Sequence, residues 1–493
     1  MQREAGRIMG LAGASSLVLA LILSFGAGKG HAGDLQKFLD EIKSEGFQYN
    51  QGSLSFPDLI PMCCSCKLPS CWGNNASSTY GVYILPAAPG QTALNPLAES
   101  FSSAQQPNRS MCWRLRADEA IVLIGITPPK MKYFGFVSYL YDRAGTPPSE
   151  TPCPLLPSMK KRSHEVFASL HDTINNMTIK CSGTAEDPFS KDTIIITTSD
   201  KQIASTVKAA LLRAEYPAGI INIDVIPSEI VNLGIDQSDD SCTFAVRMAT
   251  DDPTLPAIHA YIENPGTVWR LTPKKATPPN KLDPYPVPRL RVRGTGRTEL
   301  DLLPVVEDLR RAILARYTPE YEPAELPTAN LMEGYNCIQR NQDCLGDNRD
   351  AAYIGNSPQS KFLLGEDEFV IVYGVNHAAM GKASYSNFTV TGGDLLVGAA
   401  SIRNDEFPGS AAYYLPHDSD VQDLYAWKIM RPGHCGNDPY CIEVEYDCSE
   451  GGIPEDQGML VACRAYLEKS TMVGATYAEL VLDRVIKFTP STR

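Results

Sequence analysis

A chain of 493 residues is larger than one hydrophobic core usually supports, so two domains are the natural expectation. Apolar residues make up 43% and charged residues 20%, the balance of a folded protein and not of a disordered one. A formal net charge of −13 argues against nucleic-acid binding, which needs a basic face to displace counterions.

At the N-terminus, Arg3 and Arg7 precede an uncharged stretch, 8–28, whose centre reads LVLALILSF. Gly30 and Ala32 then occupy the small-residue positions of a cleavage site before Gly33, which makes 1–32 a secretory signal peptide. The alternative is a retained anchor, because about 20 uncharged residues can just span a bilayer. No later stretch is long and apolar enough to do so, so the cleaved protein is expected free of the membrane, secreted or in the secretory-pathway lumen. Fourteen cysteines, an even number, read as disulfides in an oxidising compartment. Four Asn-x-Ser/Thr acceptors, at Asn75, Asn108, Asn176 and Asn387, add the expectation of an N-glycosylated protein with those four positions exposed.

Apolar residues at Leu35, Phe38, Leu39 and Ile42 have helical spacing, and Gly46 supplies a stop. The segment CCSCKLPSC (63–71) carries four thiols, enough for zinc by count, but without paired C-x-x-C spacing; disulfides are the simpler reading. EAIVLIGITPP and YFGFVSYLYDR read as two mutually paired strands. DTIIITT, a helix capped by Ser199 or Asp200, and Ile220–Ile226 form a strand–helix–strand unit with parallel strands. His164 and His171 lie close to one face of an expected helix, two turns apart, too far for the i, i+4 metal geometry.

Proline density over 271–290 marks a linker. The fold expected is thus an α/β domain over 33–270, then a smaller, disulfide-bonded, β-rich α+β domain over 291–493. The second domain opens with RLRVRGTGRTELD, where Arg293, Arg297 and the turn at Gly294 and Gly296 suit a phosphate or sulfate, or are simply an exposed turn. A helix follows, with its stripe at Leu302, Val305, Val306, Leu309 and Ile313 and Pro304 near its start. Near cysteines in this domain suggest the pairs Cys337–Cys344, Cys435–Cys441 and Cys448–Cys463.

Two stretches carry candidate chemistry. In DCLGDNRDAAY, Asp343, Asp347 and Asp350 supply oxygen ligands of the kind calcium takes, although the spacing is not that of an EF-hand. Arg349 beside them can pair with a neighbouring carboxylate or contact a carboxylate substrate. In FVIVYGVNHAAMGKASYSNFTV (369–390), an apolar strand ends beside Asn376 and His377, a place where histidine can serve as general base and asparagine can orient it or stabilise an oxyanion. The plainer reading is a wide β-hairpin loop with solvated polar residues. Glycosylation of Asn387 would turn Ala383, Tyr385 and Thr389 outward with it, and Ser384, Ser386, Phe388 and Val390 inward. No G-x-S-x-G, H-E-x-x-H or P-loop occurs.

Two functions fit these features. One is a secreted hydrolase- or lyase-type enzyme using His377 and Asn376 with Asp347, Asp350 and Arg349. The other is a non-catalytic surface or matrix glycoprotein that binds carbohydrate or protein through its C-terminal region. Either could take a small-molecule or carbohydrate ligand.

Overall fold

A computed structural model of the chain describes residues 33–143 and 165–491, apart from positions 251, 253, 332, 357–359, 393, 394 and 417–419. The expected signal peptide, His164, Cys153 and His417 lie outside the described residues. The protein is a mixed α/β structure made mostly of sheets.

Among the described residues the N-terminal half holds ten strands: β1 (Phe47–Ser55), β2 (Ser78–Ile84), β3 (Ala120–Ile126), β4 (Tyr133–Asp142), β5 (Glu165–Ser169), β6 (Ile174–Asn175), β7 (Asp192–Thr198), β8 (Ile221–Val225), β9 (Ser241–Ala249) and β10 (Gly266–Pro273). They run β5-β4-β9-β2-β1-β10-β3-β7-β8, with β6 beside β4. Strand β1 makes the corner, pairing with β10 over Phe47–Gly52 and with β2 over Ser53–Ser55. The sheet therefore curls into a half-barrel around a core in which Ile121, Leu123 and Ile195 meet Phe136, Leu140 and Phe244. Five helices accompany it: α1 (Leu35–Ser44), α2 (Leu59–Cys64), α3 (Ala98–Phe101), α4 (Lys201–Arg213) and α5 (Pro256–Glu263).

The expected strand–helix–strand unit is present. Strands β7 and β8 pair in parallel, and Asp200 caps α4 by accepting from the backbone N–H groups of Gln202 and Ile203. Helices α1 and α4 bury Phe38, Leu39, Ile42, Val207 and Leu211 against the outer face of β3 and β7, at roughly 1.5–3 kcal/mol per large side chain. Strands β3 and β4, expected to pair with each other, do not. Strand β3 lies between β10 and β7, while β4 lies between β5 and β9 across the barrel. Adjacency in sequence gave way here to the curl of the sheet.

The C-terminal half adds β11 (Tyr321–Leu326), β12 (Thr328–Asn330), β13 (Ala351–Asn356), β14 (Phe369–Val375), β15 (Tyr385–Gly392), β16 (Val397–Arg403), β17 (Leu424–Met430), β18 (Cys441–Glu443), β19 (Met459–Tyr466) and β20 (Arg484–Pro490), with helices α6 (Leu303–Tyr317) and α7 (Tyr335–Arg340). These strands form two sheets, β11-β20-β14-β17-β18 and β12-β13-β19-β15-β16. Between them lies a core of Ile354, Val370, Val372, Phe388, Trp427 and Val461. Helix α6 covers the far side of the first sheet through Val306, Leu309 and Ile313. The second sheet turns its other face towards the N-terminal half.

Two expectations change in this half. The segment 369–390 is no hairpin: β14 belongs to one sheet and β15 to the other, so 376–384 passes between sheets. Tyr385, Asn387 and Thr389 share a face as alternation requires, but that face packs on the N-terminal half and every residue of β15 is buried. Asn387 Nδ2 donates to Asn75 Oδ1 at 2.8 Å, so two of the four glycan acceptors meet in a buried contact with no room for sugar. The proline-rich connection begins after β10 and runs along the N-terminal half, with Tyr285 N–H donating to the Ser199 carbonyl and Arg291 N–H to Asp172.

Cysteine pairs Cys63–Cys71, Cys64–Cys448, Cys337–Cys344 and Cys435–Cys441 are at disulfide distance. Cys66 is disulfide-bonded as well. Cys448 does not bond Cys463: Cys463 points from β19 into the core between the sheets, whereas Cys448 sits on the seam beside α2. The Cys64–Cys448 bond joins the two halves across 384 residues of sequence. The halves are also interleaved at close range, since a Cβ on Gly398 would come within 2.0 Å of the Asn74 carbonyl oxygen.

Candidate functional site

His377 is 3% exposed and is held between carboxylates at both ring nitrogens. Nδ1 lies 2.9 Å from both Glu299 oxygens, and Nε2 lies 3.4 Å from Asp483 Oδ2. Burial disfavours the imidazolium, but Glu299 and Asp483 outweigh it and raise the pKa to about 10. A histidine charged throughout the neutral range with both nitrogens engaged is a structural pin, not a free base. Its partners are not the expected Asp347 and Asp350. Asn376 is equally committed: its N–H donates to the Asp423 carbonyl and its Nδ2 to the Asn404 carbonyl. Lys382, from the same loop, is clamped by Glu468 at 2.8 Å and Glu479 at 2.5 Å.

The stretch 343–350 is a hub where the C-terminal half docks on the N-terminal one. Asp347 accepts from Ser169 N–H at 2.7 Å, Ser169 Oγ at 2.8 Å and Gly334 N–H at 2.9 Å. Asp350 accepts from Tyr133 and Asn175 through Oδ2, while its Oδ1 is buried with no partner; burial lifts its pKa to about 7. Arg349 pairs with Asp172 at 2.7 Å and with Glu333 at 3.4 Å. Asp343 Oδ1 receives the Leu345 N–H. The three carboxylates proposed for calcium thus face three different sets of donors. Among the described residues no group of three His, Cys, Asp or Glu is arranged to hold a metal.

The other candidates are absorbed by the protein itself. At the Gly294–Gly296 turn, where a phosphate or sulfate is one of two readings, the N–H groups of Thr295 and Gly296 donate to the Glu479 carboxylate. Arg293 is spent on Glu333 and on the carbonyls of Arg349 and Ala351. His171 follows a strand instead of sitting on a helix, because 165–169 pairs with β4; its Nε2 lies 2.7 Å from Asp224 Oδ1. His434 is exposed.

The feature that none of these readings located is a partly enclosed cavity of about 180 Å³ in the seam between the halves. Strand alternation builds both walls. Tyr80, Val82, Ala245 and Arg247 project from β2 and β9 on the face opposite the half-barrel core. Leu460, Ala462, Arg464 and Tyr466 project from β19 on the face opposite Val461, Cys463 and Ala465. Trp72, Met111 and Phe167 add to the lining, and the exposed Leu331 and Leu345 line the cavity as well. Two disulfides brace the lining, through Cys71 and Cys344.

Backbone strain collects here. Trp72, Phe167, Leu345 and Leu396 all line the cavity and all hold positive φ, at 48°, 30°, 53° and 52°. Such conformations cost on the order of 1–3 kcal/mol each in non-glycine residues and are kept where surrounding structure enforces them. Gly346, at φ +65°, has no substitute, since a Cβ would fall 2.8 Å from the Phe167 ring.

Two arginines give the apolar cavity its charge. Arg247 and Arg464 are 8% and 5% exposed. Arg247 donates to Tyr353 Oη at 2.7 Å and to the Gly346 carbonyl, while its Nε is buried without a partner. Arg464 donates to Thr389 Oγ1 at 3.0 Å, to the Ala462 carbonyl at 3.3 Å and to the Gly73 carbonyl at 2.6 Å. Neither has a carboxylate within ion-pair distance among the described residues. The sequence signal was a single arginine inside an apolar strand, as in SCTFAVRMA and MLVACRAY. Arg270 in GTVWRLTP carries the same signal yet pairs with Glu119 at 2.9 Å, so the pattern alone does not separate the cases.

No known protein family matches the chain, and no curated protein matches it. Among solved structures, an uncharacterized protein from Burkholderia cenocepacia aligns over 92% of this chain and 86% of its own, at 11% identity and a TM-score of 0.38. The N-terminal CBM22-1–CBM22-2 tandem of Xyn10C from Paenibacillus barcinonensis aligns over 94% of this chain and 100% of its own, at 8% identity and a TM-score of 0.13. Likenesses this low carry no argument about function.

Proposed function

We propose that this protein binds one small, largely apolar molecule in the seam between its two halves. The supporting observation is the cavity itself: about 180 Å³, walled by aliphatic and aromatic side chains and braced by disulfides. An engineered apolar cavity of about 150 Å³ is large enough to take up benzene, so a single ring or a short acyl chain is the right scale. A sugar suits it poorly, because its many hydroxyls would be buried against walls offering few polar partners. Secretion belongs to the same proposal; the four cysteine pairs support passage through an oxidising compartment. No helix among the described residues is long and apolar enough to cross a membrane.

Calorimetric titration of the non-reduced protein with toluene and 1-octanol tests this. The expected result is saturable one-to-one binding that Ala462→Phe, which fills the cavity from β19, weakens at least tenfold. Absence of saturable binding by both compounds would overturn the proposal.

A further inference from the structure

We infer that the ligand carries a single carboxylate, held by Arg464 and Arg247 of the cavity lining. This rests on the proposed function above and names the ligand's chemical class.

The argument starts from charge. The lining holds two guanidiniums and one carboxylate, Asp347. One monoanionic head group would leave it neutral, whereas an uncharged ligand would leave one buried cation uncompensated, which is costly in a low-dielectric site. Asp347 offsets one of the two cations only at a distance, through its charge interaction with Arg247; its oxygens accept from Ser169 and Gly334 and make no ion pair with either arginine. The chain as a whole is strongly acidic, with 57 Asp and Glu against 44 Lys and Arg, so an excess of cations over carboxylates at one cavity is not a by-product of excess basic residues.

Other buried arginines show how this protein satisfies the group when no ligand is involved. Arg270 has Glu119 and two bonds to the Arg114 carbonyl. Arg431 has no carboxylate either, but is surrounded by backbone carbonyls of Leu364, Val444, Glu445, Ile453 and Pro454. Arg247 and Arg464 have neither solution in full: Arg247 has one carbonyl and Arg464 two, with no carboxylate in an ion pair, and Arg247 Nε, like Arg270 Nε, has no acceptor.

The remaining donors suit a carboxylate. Tyr353 Oη accepts from Arg247 and Tyr80 Oη accepts from the Asn75 N–H, which leaves both phenolic hydrogens free to donate. Both side chains line the cavity. A guanidinium fork presents two parallel N–H groups to a planar carboxylate, a match that an alcohol or an amide does not use. The apolar walls then take the hydrocarbon body.

The test compares a matched pair, octanoate and 1-octanol, by calorimetry on the full-length, non-reduced wild-type protein at pH 7. Octanoate is expected to bind at least tenfold tighter, and the preference is expected to fall below threefold in Arg464→Met. Equal binding of the two, or tighter binding of the alcohol, would overturn the carboxylate assignment while leaving the apolar cavity intact. Binding of neither would overturn both readings. The wild-type comparison decides the matter even if Arg464→Met does not fold.

Discussion

Replacing His377 with glutamine separates a structural pin from a catalytic base. In the folded protein its pKa rises from 6.5 to about 10 because Glu299 and Asp483 hold the imidazolium against the cost of burial. That rise corresponds to roughly 4–5 kcal/mol at 1.36 kcal/mol per pKa unit, in line with the ~3–5 kcal/mol lost when one partner of a buried ion pair is removed. A group whose folded pKa is raised contributes stability that is fully present below 6.5 and is lost as pH climbs through about 10. His377→Gln should therefore melt well below the wild type at pH 6.5, and the gap should shrink steadily towards pH 10. At about 2–4 °C per kcal/mol for a unit of this size, the initial gap is on the order of 6–20 °C. Scanning calorimetry at half-unit pH intervals, without reductant, reads it. A variant that melts with the wild type, or a gap independent of pH, would refute the assignment of His377 as a charged pin.

Asp350→Asn should behave in the opposite sense. Burial has lifted the Asp350 pKa from 3.8 to about 7, so its charged form destabilises the fold as pH rises through that window, and the variant should gain on the wild type between about pH 4 and pH 7 and level off above it in the same calorimetric experiment. Glycopeptide mapping should find Asn75 and Asn387 unoccupied, because their side chains are bonded to each other in a buried contact. Peptide mapping without reductant should recover the Cys64–Cys448 link. Removing it as Cys64→Ala with Cys448→Ala should cost on the order of 3–5 kcal/mol, since the bond closes a very long loop. Unchanged stability of that double variant in urea would show that the seam holds without the bond.

Local signals carried far into this fold. The β-branched run of β7, the Asp200 cap and the apolar stripes of α1, α4 and α6 each specify an element without help from elsewhere, and each is present. Short-range cysteine spacing located Cys337–Cys344 and Cys435–Cys441 for the same reason. What escaped is non-local. Alternation placed Tyr385, Asn387 and Thr389 on one face, but only the packing of that sheet on the N-terminal half decides that this face is dry. His377 reads as a loop histidine until Glu299 and Asp483, from the start of the C-terminal half and from the turn before β20, close on it. The cavity is the extreme case, because Arg247 and Arg464 stand on strands of different halves and share a site only when the sheets meet.

The most direct measurement is a crystal structure of the non-reduced protein grown with octanoate. The expected result is density for the acyl chain along Val82, Ala245, Leu460 and Ala462, with the carboxylate within hydrogen-bonding distance of Arg464 and of Arg247 Nε. A cavity filled by the protein's own side chains, with octanoate bound elsewhere or nowhere, would contradict the account.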